Sequence, residues 1–280
     1  MSTLADSFAF KDQESVLPQH QAALTLLDTL LSSPAVEHLT WIDLACGRGQ
    51  IISLFDERFS ASARAKIDYW AYDSNQDYVM ETKITAERLG FDSIMTIVGD
   101  LKDLNKKLTA GKLFDFITLT NTVHETDTNT LLNIIASCIQ RLTDIGVLYI
   151  YDMEKTQQPE LGALTWRRDD FRRIILCILN AFGATNYRPE VVLWNHKTCR
   201  GWSVRIEWQH LNISRTEAAA RSNKAIQKTQ AEILQMLKEK FEKCQNRLEE
   251  ITRNGTNSAD EKELLLHEHW ALSRVLKQNH

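Results

Sequence analysis

The sequence has 280 residues, of which 43% are hydrophobic and 25% charged, and its formal net charge is −4 at pH 7. This length suits one sizeable core with a small accessory unit, and the charge gives no reason to expect nucleic-acid binding. No apolar stretch approaches the roughly 18–20 residues of a membrane span, and the polar first residues do not resemble a secretory signal. Five scattered cysteines without a CxxC pair favour the cytoplasm and no metal site.

Short apolar runs and amphipathic segments alternate through the first three quarters of the chain. Helical spacing of apolar residues predicts an N-terminal helical cap at 1–35. The runs that predict strands span residues 39–45, 67–72, 94–98, 114–120, 146–151, 191–195 and 202–208. The helical segments between them span residues 50–59, 76–89, 101–108, 127–142 and 170–182. This alternation predicts an α/β domain at 36–212, with a seven-stranded, mostly parallel sheet, helices on both faces and an antiparallel edge pair.

The last part of the chain, 213–280, has a different composition and predicts a C-terminal helical hairpin. Its apolar residues recur at spacings of three and four, which is a heptad seam. The members of this seam are Leu234, Leu237, Phe241, Cys244, Leu248 and Ile251. The seam needs a cover, and the sustained register with charged flanks favours a second copy, and thus a homodimer. The alternatives are the chain's own core and a different partner protein.

A glycine-rich turn directly after the first predicted strand is the strongest local signal. Its residues read D-L-A-C-G-R-G-Q from Asp43 to Gln50. Glycine at a strand end lets a ligand approach the backbone, because no Cβ lies in the way. An isoleucine occupies the third glycine position of the dinucleotide fingerprint, so that fingerprint is incomplete.

Polar residues also follow the next three predicted strands. Asp73 ends the second strand, where a carboxylate can accept hydrogen bonds from a ribose diol or cap the following helix. Asp100, with Leu101 after it, follows the third strand. The segment from Asn121 to Glu125 follows the fourth.

In register, these motifs resemble the class I S-adenosylmethionine-dependent methyltransferases over about 39–210. The resemblance implies a Rossmann-like fold and the cofactor S-adenosyl-L-methionine. It implies that the amino-acid part of the cofactor lies on the turn, whose matching residues are Asp43, Ala45, Cys46, Gly47 and Gly49. It further implies that Asp73 holds the ribose, that Ser74 lies near the adenine, and that Asp100 binds the adenine amino group. Leu101 would pack on the adenine ring, and Asn121 would begin the loop that faces the methyl group.

His124 and Glu125 are the candidate catalytic residues. An imidazole with an ordinary pKa near 6.5 can act as a general base, and Glu125 can orient it. The other interpretation is that His124 only packs over the cofactor or caps the next helix, since methyl transfer often needs only alignment and desolvation.

We therefore expect a methyltransferase that acts on an unidentified small-molecule or protein acceptor. One alternative is a catalytically inactive, methyltransferase-like scaffold or partner-binding subunit. A third is an NAD-dependent dehydrogenase, against which the incomplete glycine fingerprint argues.

Overall fold

A computed structural model describes residues 18–34, 36–154, 162–196, 199–254 and 259–278. It contains all seven predicted strands. They are β1 (Leu39–Leu44), β2 (Ile67–Asp73), β3 (Ser93–Val98), β4 (Phe114–Thr120), β5 (Leu142–Met153), β6 (Val191–His196) and β7 (Cys199–Glu207). Most bounds lie within a few residues of the prediction, but β5 begins four residues earlier, in a stretch where its register against β4 shifts.

The strands form one sheet in the order β3-β2-β1-β4-β5-β7-β6. β1 pairs in parallel with β2 and β4, β2 with β3, and β4 with β5. The sheet is mostly parallel with one antiparallel pair, as the sequence predicts. Side chains of the central strands β1 and β4 are almost all buried, whereas none of the edge strand β3 is buried, which explains the continuous apolar runs at the centre.

The helices confirm the predicted alternation with corrections at 50–59 and at 101–108, where a 3₁₀ turn at Leu101–Asp103 precedes a four-residue helix. They are α1 (Pro18–Leu31), α2 (Phe55–Arg58), α3 (Ala61–Arg64), α4 (Gln76–Arg88), α5 (Leu104–Lys107), α6 (Thr128–Gln140), α7 (Arg168–Phe182), α8 (Arg215–Asn254) and α9 (Ala259–Gln278). The single helix predicted at 50–59 is wrong: a 3₁₀ turn and the short α2 replace it. Left-handed glycines delay the helix start, and the extended backbone of Phe59 ends it.

The chain divides into two compact units. Unit 1 comprises the described residues of Met1–Asn121, Ser137–Tyr151 and Ser203–Asn212. Unit 2 comprises those of Thr122–Ala136, Asp152–Trp202 and Ile213–His280. The first 17 residues of the predicted N-terminal cap lie outside the described residues. Among the helices that are described, none is long and apolar enough to cross a membrane.

An aromatic cluster forms part of the core of unit 1. The buried Trp41 ring stacks on Phe55 at 5.7 Å and lies 4.8 Å from Tyr69. Trp41 Nε1 also donates to Thr118 Oγ1 over 2.9 Å, which joins β1 to β4. Aromatic pairs of this kind contribute about 0.5–1.5 kcal/mol beyond their buried area. The cluster therefore fixes the strand that leads into the glycine turn.

The heptad seam lies on α8, within residues 213–280, which we call the C-terminal extension. It is covered within unit 2. Helix α8 packs along both α7 and α9. Leu237, Cys244 and Ile251 are buried, and Leu234, Phe241 and Leu248 are half-buried. Burial of the seam thus needs no second copy, and the heptad spacing alone no longer favours a homodimer.

Candidate functional site

The glycine turn has a backbone that side chains rarely permit. Ala45, Gly47 and Gly49 all have positive φ, at 54°, 54° and 78°. Glycine adopts this region without steric cost, whereas Ala45 adopts it under some strain. A Cβ on Gly47 would lie 2.6 Å from Oε1 of Gln50. Only the flexible end of the Gln50 side chain would have to move for such a Cβ, so the left-handed backbone is the main reason for glycine at this position.

Asp73 ties the end of β2 to this turn. Its Oδ2 accepts from Gly47 N over 3.0 Å, and its Oδ1 accepts from Asn75 N over 2.8 Å. Asn75, rather than Asp73, caps α4, because its Oδ1 accepts from the backbone of Asp77 and Tyr78. Asp73 is 9% exposed, and a carboxylate can accept more than two hydrogen bonds. The structure therefore removes the interpretation of Asp73 as a helix cap.

Asp43 lies in the interior of unit 1. It is 1% exposed, and its carboxyl group accepts from Thr118 Oγ1 over 2.6 Å and from the Tyr69 hydroxyl over 3.4 Å. Burial raises the pKa of Asp43 to about 7, and the nearby charge of Asp73 acts in the same direction, while the two hydrogen bonds lower it. The link from Asp43 to a cofactor stays a prediction.

Helix α4 holds the turn from the other side. The buried Thr82 donates from Oγ1 to Gly47 O over 2.9 Å, and Arg48 pairs with Glu81 at 2.7 Å. The Cys46 thiol lies 3.8 Å from the Thr82 hydroxyl, and burial raises the pKa of this thiol well above its usual value. Cys46 is therefore a neutral packing group. Thr82 is not among the residues predicted from the sequence, where its signal is a hydroxyl on the apolar face of a helix.

The remaining predicted cofactor residues lie at the ends of β2, β3 and β4. Asp100 is half-exposed: it accepts from Lys102 N over 2.9 Å, and this bond lowers its pKa. Ser74 is exposed and Leu101 half-buried. Asn121 has a φ of 54° and donates its N–H to Tyr151 O over 3.0 Å. Unit 1 thus carries the turn and these residues at the carboxyl ends of parallel strands, which is where open α/β sheets bind ligands.

Unit 2 contains a buried His–Asp pair. Nδ1 of His124 lies 2.6 Å from Oδ1 of Asp152, and Asp152 Oδ2 accepts the His124 backbone N–H over 2.8 Å. Both side chains are 1% exposed. Glu125 is more exposed, and its Oε1 lies 3.7 Å from His124 Nε2. The orienting contact on Nδ1 therefore comes from Asp152 and not from Glu125, the residue predicted for it.

Asp152 is not among the predicted site residues, because it lies 28 residues beyond His124, near the end of the apolar strand β5. An acid in such a strand was the available signal. Since both oxygens of Asp152 contact His124, ring rotation and backbone placement are fixed together. The pair can hold a proton on Nδ1 and leave Nε2 as the basic nitrogen.

Comparisons with known proteins bear on the family and the fold of the chain. A family model described as a methyltransferase domain matches residues 35–175. The chain has no significant match among the curated proteins. The structure of the CurJ carbon methyltransferase is similar at 11% identity with a TM-score of 0.50, over 67% of this chain and 53% of that one. The present chain therefore spans about half the length of that protein.

Two further solved structures are similar at 14% identity and a TM-score of 0.48. Magnesium protoporphyrin IX methyltransferase from Synechocystis PCC 6803, with bound SAH, is matched over 71% of this chain and 90% of that one. TehB from Haemophilus influenzae is matched over 72% of this chain and 66% of that one.

The family match covers half of the sequence, and it begins before β1 and ends within α7. It includes the glycine turn, Asp73, Asp100 and the His124–Asp152 pair. The sheet has the order and direction expected of such a domain. The chain therefore belongs to the methyltransferase domain family, within the class I S-adenosylmethionine-dependent methyltransferase superfamily.

Proposed function

We propose that the chain binds S-adenosyl-L-methionine in unit 1 and transfers its methyl group to an acceptor. The observation that carries this proposal is the left-handed turn at Gly47 and Gly49, which Asp73 ties to the end of β2. Similar solved structures of methyltransferases, one with bound SAH, support the choice of cofactor.

The residues present suit this cofactor. When bound, S-adenosyl-L-methionine supplies an electrophilic methyl group on a cationic sulfonium. Asp73 brings a carboxylate into direct contact with the turn, because its Oδ2 accepts from Gly47 N, and its charge also acts on the buried Asp43. This favours a cation, and Asp73 lies at the strand end where a carboxylate binds ribose hydroxyls. Cys46 and Ala45 shape the turn, while Asp100, Leu101, Ser74 and Asn121 form the proposed adenine and methyl ends.

His124 and Asp152 are the proposed base and its orienting partner. Asp152 accepts the Nδ1 proton, so the Nε2 lone pair can take a proton from the acceptor. The imidazolium that forms gains from the carboxylate of Asp152, because the two charges lie in direct contact at 2.6 Å and both side chains are buried. This arrangement suits an acceptor that must lose a proton as it is methylated, such as a hydroxyl. Glu125 remains a second candidate catalytic residue, because its Oε1 lies 3.7 Å from Nε2.

Isothermal calorimetry with S-adenosyl-L-methionine tests the cofactor assignment. Asp73→Ala should weaken binding by about 1–3 kcal/mol, because the ribose hydroxyls lose their acceptor. Asp92→Ala removes an exposed carboxylate from the same unit and should leave affinity unchanged.

Circular dichroism on each variant separates lost binding from lost folding. A wild-type chain that binds NAD and not S-adenosyl-L-methionine would overturn the proposed function. Equal affinity of wild-type and Asp73→Ala chains would remove Asp73 from the site.

A further inference from the structure

The segment that precedes α7 is held at three successive residues. We call residues 162–167, all of which the structure describes, the Trp166 segment. Leu164 donates its N–H to the backbone carbonyl of His124 over 2.7 Å. Leu164 and Trp166 are both buried. The Trp166 segment is therefore a direct backbone neighbour of the proposed base.

Lys240 of α8, in the C-terminal extension, contacts the same segment. Lys240 Nζ donates to Thr165 O over 2.6 Å and pairs with Glu268 of α9 at 3.3 Å. The ammonium also lies 5.9 Å from the centre of the Trp166 ring. Hydrogen bonds from a charged donor are stronger than neutral ones, and this ammonium is mostly shielded from water. Both helices of the extension thus contribute to one contact on the segment.

A third contact comes from β7. Trp202 Nε1 donates to the Trp166 carbonyl over 2.7 Å, and the Trp202 ring stacks on Phe171 of α7 at 4.0 Å. Leu164, Thr165 and Trp166 are therefore fixed by three different elements of unit 2. Trp202 anchors one end of the segment, so a shift at Thr165 has to be absorbed at Leu164, next to His124.

We propose that Lys240 is a positioning residue for His124, and that the C-terminal extension stabilises the Trp166 segment on which this position depends. Lys240 holds Thr165, the adjacent Leu164 holds the carbonyl of His124, and Asp152 holds the imidazole. Without the ammonium, the Thr165 carbonyl loses its donor and the Leu164–His124 bond opens more often. The catalytic meaning of this contact rests on the proposed function, but the contact can be tested without it.

Lys240→Met is the test variant, because methionine keeps most of the aliphatic stem while removing the charge. Lys238→Met is the matched control on the exposed face of α8. Amide hydrogen exchange by NMR should show that Leu164 exchanges at least about tenfold faster in Lys240→Met and is unchanged in Lys238→Met. Lys240→Arg should restore protection, and Glu268→Gln should give a smaller increase.

The imidazole of His124 supplies a second readout, since a merely structural role of Lys240 would leave it unmoved. In protein with ¹⁵N-labelled histidine, the His124 signals are assigned from their loss in His124→Gln. They should shift or broaden in Lys240→Met and return in Lys240→Arg.

Unchanged Leu164 exchange in Lys240→Met would overturn the proposal, and so would faster Leu164 exchange with unchanged His124 signals. Faster exchange that is uniform over all amides would do the same, since it would report only a loss of global stability. Calorimetry of the same samples separates this proposal from the proposed function. A wild-type chain that fails to bind S-adenosyl-L-methionine would defeat the function and leave the exchange result intact.

Discussion

In unit 1 the glycine turn is set by backbone conformation over a few consecutive residues, with Asp73 and Thr82 tying it to neighbouring elements. In unit 2 His124 is set by groups from distant parts of the chain, above all Asp152 and Leu164. The first kind of site depends on which residues permit a left-handed backbone. The second depends on the packing of whole elements, so its geometry is sensitive to changes far from the chemistry.

The largest effect is expected in unit 2. His124→Gln should lower turnover by about 10²–10⁴-fold, because the base that takes the acceptor proton is lost. Affinity for S-adenosyl-L-methionine should stay near that of the wild type. The measurement is methyl transfer from labelled cofactor to an acceptor at saturation.

Two neighbouring variants sharpen this result. Asp152→Asn should also lower turnover, because an amide can donate to Nδ1 and so favours the wrong tautomer. Glu125→Gln should have a much smaller effect, since Glu125 is exposed and does not contact Nδ1. A greater loss from Glu125→Gln than from Asp152→Asn would return the orienting role to Glu125, as the sequence analysis predicts.

The next effect concerns the turn of unit 1. Gly47→Val should weaken cofactor binding more than about 100-fold, because a β-branched residue is strained at positive φ and would displace Gln50. Gly111→Val is the matched control: Gly111 also has positive φ, but a Cβ there meets nothing within 4 Å. Calorimetry and thermal unfolding measure both variants.

Similar losses of stability are expected in these two variants, because a valine at positive φ introduces the same kind of backbone strain in both, of order 1–2 kcal/mol. Only Gly47→Val should lose binding. If Gly111→Val lost cofactor affinity as well, the effect would be one of general stability and not of the turn.

The difference between the two regions also explains how far the sequence was informative. The seven strands and the glycine turn could be predicted because periodicity and glycine placement are local signals. Asp152 could not, since nothing local relates a strand-end acid to a histidine 28 residues earlier. Lys240 contacts Thr165 from 75 residues away, and only the packing of α8 brings them together.

The helix predicted at 50–59 shows that a local signal can also predict an element that does not form. Its apolar spacing suits a helix, but the turn that precedes it determines where a helix can begin. The heptad seam of α8 is a similar case. Its spacing indicates a partner helix, and it does not distinguish α7 and α9 from a second copy.

A smaller effect is expected from the buried carboxyl of Asp43. Its pKa is raised to about 7 in the folded chain, so the folded state binds the proton more tightly than the unfolded state. The resulting stabilisation is present below the ordinary pKa near 4 and is lost as pH rises towards 7. Each pKa unit corresponds to about 1.4 kcal/mol, so this loss amounts to at most about 4 kcal/mol.

Asp43→Asn should therefore unfold with a weaker dependence on pH between 4 and 7, and it should exceed the wild type in stability at pH 8. Urea denaturation at pH 5 and pH 8 measures the difference between the two chains. Both chains must be measured, because His20 adds a pH dependence of its own. Burial lowers the pKa of His20 to about 4, so the folded state loses stability as pH falls below 6.5, and this loss cancels in the difference between the two chains. A variant with the same pH dependence as the wild type would show that Asp43 is ionised throughout.

The smallest effect concerns oligomeric state. The heptad spacing of α8 favours a homodimer, whereas the packing of α8 against α7 and α9 favours a monomer. Light scattering at micromolar concentration should give the mass of one chain, because α7 and α9 already cover the seam. Arg173 of α7 pairs with Glu232 and Glu239 of α8, and Arg221 of α8 donates to Phe182 O at the end of α7. Deletion of 214–280 would remove these contacts and expose α7, so the shortened chain should be less soluble than the full chain. A full-length dimer that becomes a soluble monomer on deletion would restore the homodimer that the heptad spacing predicts.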